Sequence, residues 1–127
     1  MDPIKLVGIR SAALDSDGAG SNELDLGPYV NAGKRQIIGV WAPAVTGTDT
    51  DETYDNKFQD CATTVGSDFA DISGAAFTQV TQESTLAFQT VAFSTNKRYI
   101  RSYATLGGTT PTMQDWTGVI LTGRFDT

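Results

Sequence analysis

The chain has 127 residues, with nine Lys or Arg against fifteen Asp or Glu for a formal charge of −6, a single cysteine and no histidine. That length suits a single domain over residues 1–127, large enough to bury a core of its own. The missing histidine excludes Ser-His and Cys-His nucleophile pairs and the common histidine metal sites, and Cys61 alone cannot form an intramolecular disulfide.

An acidic surface repels the phosphate backbone, so nucleic acid is not expected as a partner. No apolar run approaches the roughly 20 residues that cross a bilayer, and Met1–Leu14 lacks the pattern of a secretory leader. A soluble protein made in the cytoplasm, without membrane contact, is the expectation. The charge is uneven: seven acids between Asp49 and Asp71 meet only Lys57, whereas Lys97, Arg98 and Arg101 crowd one short stretch. Such a layout suits docking to a charged protein surface or contacts between copies, and equally a solvated surface.

In chain order, residues 4–9 alternate in the manner of a first strand, or form an extended N-terminal arm within residues 1–9. Asp15 to Asn22 (DSDGAGSN) has the composition of a loop. Its Asp15 and Asp17 open like a calcium loop, but Ala19 stands at the third ligand position, so a plain surface loop is the simpler reading. Glu23–Leu26 resumes a brief alternation that Gly27-Pro28 stops, and Asn31–Lys34 reads as a turn.

Gln36–Val45 is the most hydrophobic run and predicts a central strand with Trp41 near the core. Pro43 donates no ladder hydrogen bond, which places that strand's end at an edge or a bulge. Thr46–Thr53 (TGTDTDET) reads as a polar loop in which Asp49, Asp51 and Glu52 either gather a cation or are simply solvated. Across Tyr54–Thr64 the inward positions are Tyr54, Phe58 and Ala62. Asp60 also falls inward, which implies a bulge or a different register. Phe69 and Ile72 have a spacing that neither strand nor helix explains, and Gly74–Thr81 is either a helical turn or a short strand.

Leu86–Leu106 is the most strongly patterned stretch. Two runs rich in Phe, Val, Tyr and Ile flank Ser94–Lys97 and read as a β-hairpin. In the second run Tyr99, Arg101, Tyr103 and Thr105 fall on one face, and Ile100, Ser102, Ala104 and Leu106 on the other. A Gly-Gly-Thr-Thr-Pro loop follows, then a last strand over Trp116–Phe125. Together these elements predict an all-β protein, an antiparallel β-sandwich or jelly-roll-like barrel of seven or eight short strands.

Catalytic, metal and cofactor motifs are lacking, and acid pairs are too numerous to single out a glycosidase site. No enzyme is expected. Trp41 and Trp116, with Tyr29, Tyr54, Tyr99 and Tyr103, could form a sugar-stacking platform, although Trp41 suits the core and Trp116 is the better candidate for exposure. Lys97, Arg98 and Arg101 either bind a partner or protect an edge by charge. With Trp116 they are the candidate protein-contact residues. Cys61 reads as a small buried apolar residue.

The segment Phe93 to Arg101 (FSTNKRYIR), followed by a small-residue loop and the strand Gly118–Gly123, resembles small virion proteins of tailed bacteriophages described as head decoration or cement proteins. Lys57–Asp60, Gly66–Ile72 and Glu23–Gly27 fit the same pattern, while Cys61-Ala62 departs from it. The resemblance implies a structural protein on the capsid exterior, bound to the major capsid protein, often as a homo-oligomer (a trimer or a dimer), with no cofactor. A tail or connector subunit and a carbohydrate-binding sandwich module are the alternatives.

Overall fold

The computed structural model describes residues 4–14, 18, 23–26, 35–45, 50–64, 66–81 and 88–122. Nine strands fall within them: β1 (Ile4–Leu14), β2 (Leu24–Asp25), β3 (Arg35–Val45), β4 (Thr53–Cys61), β5 (Ala70–Ala76), β6 (Val80–Thr81), β7 (Gln89–Thr95), β8 (Tyr99–Gly107) and β9 (Met113–Thr122). All strand pairs are antiparallel. One sheet has four strands in the order β1-β9-β3-β7; the other has five, β2-β8-β4-β5 with β6 also on β4. With β6 set aside, consecutive strands change sheet at every connection except β4 to β5, which is the winding of a two-sheet jelly roll.

One hydrophobic cluster fills the space between the sheets. Ile9, Ile37, Trp41, Phe93, Val119 and Leu121 come from the four-stranded sheet, and Tyr54, Phe58, Ile100 and Ala104 from the other. Phe58 stacks on Phe93 at 5.0 Å between ring centroids and lies 5.6 Å from Phe77, which in turn lies 5.5 Å from Trp41. The ring of Phe58 occupies the place where Gly39 has no side chain: a Cβ there would come within 2.3 Å of it.

The expected hairpin is not one. β7 pairs with β3 in the four-stranded sheet, and β8 pairs with β4 and β2 in the other. Asn96–Arg98 is therefore an arch that carries the chain from one sheet to the opposite one. The Thr95 hydroxyl accepts from the Lys97 amide and donates to the Asp60 carboxylate at 2.6 Å, which ties the foot of the arch to β4. Alternation alone fits both geometries, because either way each strand has one buried face. The faces of β8 are as expected, with Ile100, Ser102 and Ala104 buried and Tyr99, Arg101 and Tyr103 partly exposed.

Asp60 does point inward, where the Thr95 hydroxyl meets its carboxylate; β4 pairs with β8 continuously from Thr53 to Cys61, while its pairing with β5 shifts register between Lys57 and Gln59. Ala62 lies past the end of β4 and is exposed. Residues 4–9 are strand rather than free arm: Ile4–Gly8 pair in register with β9, the register shifts between Gly8 and Arg10, and pairing continues to Leu14. β3 is central as expected; its described pairing with β7 runs from Arg35 to Trp41, and Pro43 pairs with Asp115 of β9. The single helical turn among the described residues is a 3-10 turn at Gly66–Asp68, while residues 74–81 contribute to β5 and β6. The last strand begins at Met113, three residues earlier than its pattern indicated. Strands of 9 to 11 residues (β1, β3, β4, β8, β9) make the sheets longer than the short strands expected.

Gly39→Ala should destabilise the protein by about 1–3 kcal/mol, because the new methyl overpacks against a buried ring. Urea unfolding checks this, and the loss should shrink in a Phe58→Leu background, where the two sites share the space.

Candidate protein-contact site

The outer face of β8 is built by period-two geometry. Tyr99, Arg101 and Tyr103 stand on it, opposite Cys61, Gln59 and Lys57 of β4 in the ladder. β5 adds Asp71 beside Gln59. Across these three strands runs a chain of hydrogen bonds, each 2.9 Å long: Arg101 Nε donates to Gln59 Oε1, Gln59 Nε2 to Asp71 Oδ1, and Lys57 Nζ to Asp71 Oδ2. The Arg101 guanidinium lies 4.4 Å from the centroid of Phe69 and 5.7 Å from that of Tyr103, which Lys57 Nζ also approaches at 5.7 Å. Each cation thus rests against an aromatic face, a favourable contact even in water. Phe69, whose spacing fitted no regular pattern, is buried at the end of the 3-10 turn under Arg101.

At the arch, Lys97 and Arg98 are exposed. Arg98 grips Asp25 through two parallel bonds of 2.9 Å, Nε to Oδ1 and Nη2 to Oδ2, with its guanidinium 5.2 Å from the Tyr99 ring. That bidentate fork raises the Arg98 pKa above its already high value. Hydrogen bonding from Gln59, then from Lys57, holds the Asp71 carboxyl below its ordinary 3.8. Donation from the Thr109 hydroxyl and amide does the same for Asp51. These exposed pairs order side chains more than they hold the fold.

Of the expected contact residues, Lys97, Arg98 and Arg101 share one side of the molecule. Trp116 lies on the outer face of the opposite sheet, its ring over the Gly8–Gly118 pair. The sequence pattern missed Lys57, Gln59, Asp71 and Phe69, because only the β5–β4–β8 pairing brings them to Arg101. A cavity of about 210 Å³ opens beside Tyr103, lined by Asp55, Lys57, Ala76, Phe77 and Thr105. It is smaller than the usual small-molecule site of roughly 300–1,000 Å³.

The aromatic residues considered for a sugar platform are divided. Trp41 and Tyr54 are fully buried, Trp116 is on one sheet, and Tyr99 and Tyr103 are on the other beside cations. Tyr29 lies outside the described residues, as do Asp15, Asp17 and Asp49 of the possible cation loops. Glu52 is buried and accepts from the Tyr54 hydroxyl, and the Asp51 carboxylate is engaged by Thr109. No group of three or more acidic or cysteine ligands that could hold a metal occurs among the described residues. No helix there is long and apolar enough to cross a membrane. Cys61 is a buried free thiol. No family model, no curated protein and no solved structure matches the chain.

Because the Asp71 pKa is depressed in the folded protein, its contribution to stability is complete above the ordinary value of 3.8 and is lost as pH falls through the lower folded value. Gln59→Ala should raise the Asp71 pKa toward that ordinary value, read by NMR titration of the side-chain carboxyl; an unchanged titration would assign the shift to Lys57 instead.

Proposed function

We propose that the chain is a structural protein of a tailed-bacteriophage virion, a decoration protein that binds the outer surface of the shell formed by the major capsid protein and stabilises it. The observation that carries this reading is the stripe of Arg and Tyr side chains running from the exposed Lys97–Arg98 corner along the outer face of β8. Arg and Tyr are the residues over-represented at the energetic centres of protein interfaces, since both offer large contact area with directional polar groups. In a chain of net charge −6, cations gathered on one side give a preferred docking orientation against an acidic surface.

Two further points support the reading by association. The segment that resembles phage decoration proteins, residues 93–101, is the arch and the start of this stripe. The jelly roll is also a fold that viral capsid proteins use, although a fold alone does not fix a function. Each docked copy adds buried area across a seam between capsid subunits, and repetition over the shell multiplies a modest local gain. The protein works on the capsid exterior after synthesis in the host cytoplasm, as a homo-oligomer, and this role needs neither cofactor nor nucleic acid.

Matured shells lacking the protein should retain it on sedimentation, saturating at a fixed copy number set by a class of symmetry positions. Lys97→Glu with Arg98→Glu should lower that affinity at least tenfold. Failure of the unaltered protein to co-sediment at any concentration would sink the capsid reading.

A further inference from the structure

Six polar or charged residues are buried among those described: Glu52, Asn56, Gln59, Thr95, Ser102 and Thr117. Four of them are bonded through their side chains, Glu52 with Tyr54, Gln59 with Asp71 and Arg101, Thr95 with Asp60, and Thr117 with the amide nitrogen of Asn56. Two buried side-chain oxygens, Asn56 Oδ1 and Ser102 Oγ, have no partner among the described residues. The two are neighbours in the fold. β4 pairs Asn56 with Ala104 and Phe58 with Ser102 of β8, so Asn56 and Ser102 stand diagonally on one face of the ladder. That face is the inner one, with Asn56 2% exposed and Ser102 fully enclosed. Cβ atoms on such a diagonal lie roughly 7 Å apart, a gap that a molecule making two bonds of about 2.8 Å can bridge.

The packing around them is uneven. On β4 Asn56 stands between the buried rings of Tyr54 and Phe58, whereas β8 sets only Ser102 and Ala104 beside it. The Asn56 amide is not free to turn away, because its Nδ2 donates to Thr117 Oγ1 of the opposite sheet at 3.1 Å. A buried amide oxygen without a donor, next to a buried hydroxyl without a partner, carries a desolvation cost that no protein atom here recovers. We propose that one water molecule is bound between the sheets as a fixed part of the fold, donating to Asn56 Oδ1 and hydrogen-bonded to Ser102 Oγ. The chemistry of the two groups selects water. The amide oxygen only accepts, while the hydroxyl both donates and accepts, and a water can answer both. A metal ion offers no acceptor to the hydroxyl proton, and no carboxylate stands among Asn56, Ser102 and Thr117 to balance its charge. An apolar guest would leave both oxygens unpaired.

Solvent has an approach to this strand, since Asn56 is among the residues lining the cavity beside Tyr103. With the water in place, Ser102 of β8 is joined through it and the Asn56 amide to Thr117 of β9. A polar chain then crosses from one sheet to the other through an otherwise aromatic core. Buried waters that satisfy such groups are costly to remove and behave as part of the structure. The inference rests on interior packing and does not depend on what the outer faces bind.

Two measurements on the full chain test it. A high-resolution crystal structure should show a single density peak about 2.7–3.2 Å from both Asn56 Oδ1 and Ser102 Oγ. In solution, magnetic relaxation dispersion of the solvent nuclei counts the waters held longer than the protein takes to tumble. Ser102→Val, which replaces the hydroxyl with a methyl and crowds the bound molecule, should lower that count by one while circular dichroism shows an intact fold. If the variant does not fold, the crystal structure of the unaltered chain decides alone. The proposal is overturned by a crystal structure with no peak there, or with the two oxygens' side chains bonded directly to each other. A peak with oxygen neighbours at about 2.0–2.6 Å would identify a metal ion and overturn it too. So would an unchanged count of long-lived waters in a folded Ser102→Val chain.

Discussion

The contact between the Phe58 ring and the backbone of Gly39 sets how closely the two sheets approach. A side chain of any size at residue 39 would meet that ring, so the glycine is what lets a phenylalanine from one sheet lie directly on a strand of the other. From this point the aromatic cluster spreads to Phe93, Phe77 and Trp41, and the remaining apolar residues close around it. Two polar contacts cross the same gap. Asn56 Nδ2 donates to Thr117 Oγ1 at 3.1 Å in the interior, and Thr95 donates to Asp60 nearer the arch. Such bonds add little net stability, but they are directional and so fix which residues of the two sheets lie opposite one another.

The jelly-roll winding separates the molecule into two outer faces of unlike chemistry. Apart from β4, β5 and β6, which share a sheet, adjacent strands in sequence lie in opposite sheets, so residues close along the chain contribute to different surfaces. β8 and its neighbours present cations braced by aromatic rings and by the Gln59–Asp71 relay, a surface that is wet, ordered and oriented. The strands β1, β9, β3 and β7 align Leu6, Ile120, Ile38 and Ala92 in a row without charge. The first kind of surface suits steering and recognition of a charged protein partner.

The acidic residues fit this division. Asp25 and Asp71 are engaged with cations at the stripe, Asp51 with Thr109, and Glu52 is buried beneath the Thr109–Thr112 loop with the Tyr54 hydroxyl. Gly108, at a φ of 100°, lets that loop pass so close to Glu52 and Asp51 that a Cβ would lie 2.7 Å from the Glu52 backbone. Asp51 and Glu52, offered by their composition as cation ligands, thus close one loop over another instead.

The sequence by itself determined the fold class, the positions of the longer strands and the inward and outward residues of β8. These follow from period-two alternation, which is local and survives any arrangement of sheets. It also determined the central place of β3, since a run as apolar as Gln36–Val45 must be buried. Tertiary structure alone decided that Asn96–Arg98 is an arch and not a hairpin turn. Both geometries place Phe93 and Ile100 inward, and only the partners of each strand, tens of residues away, distinguish them. For the same reason the grouping of Lys57, Gln59, Asp71 and Phe69 around Arg101 was hidden, as was the alignment of Leu6, Ile120, Ile38 and Ala92 in one row. Those groupings are set by strand register between distant segments, and register is fixed by how a whole face packs, which no short stretch of sequence encodes.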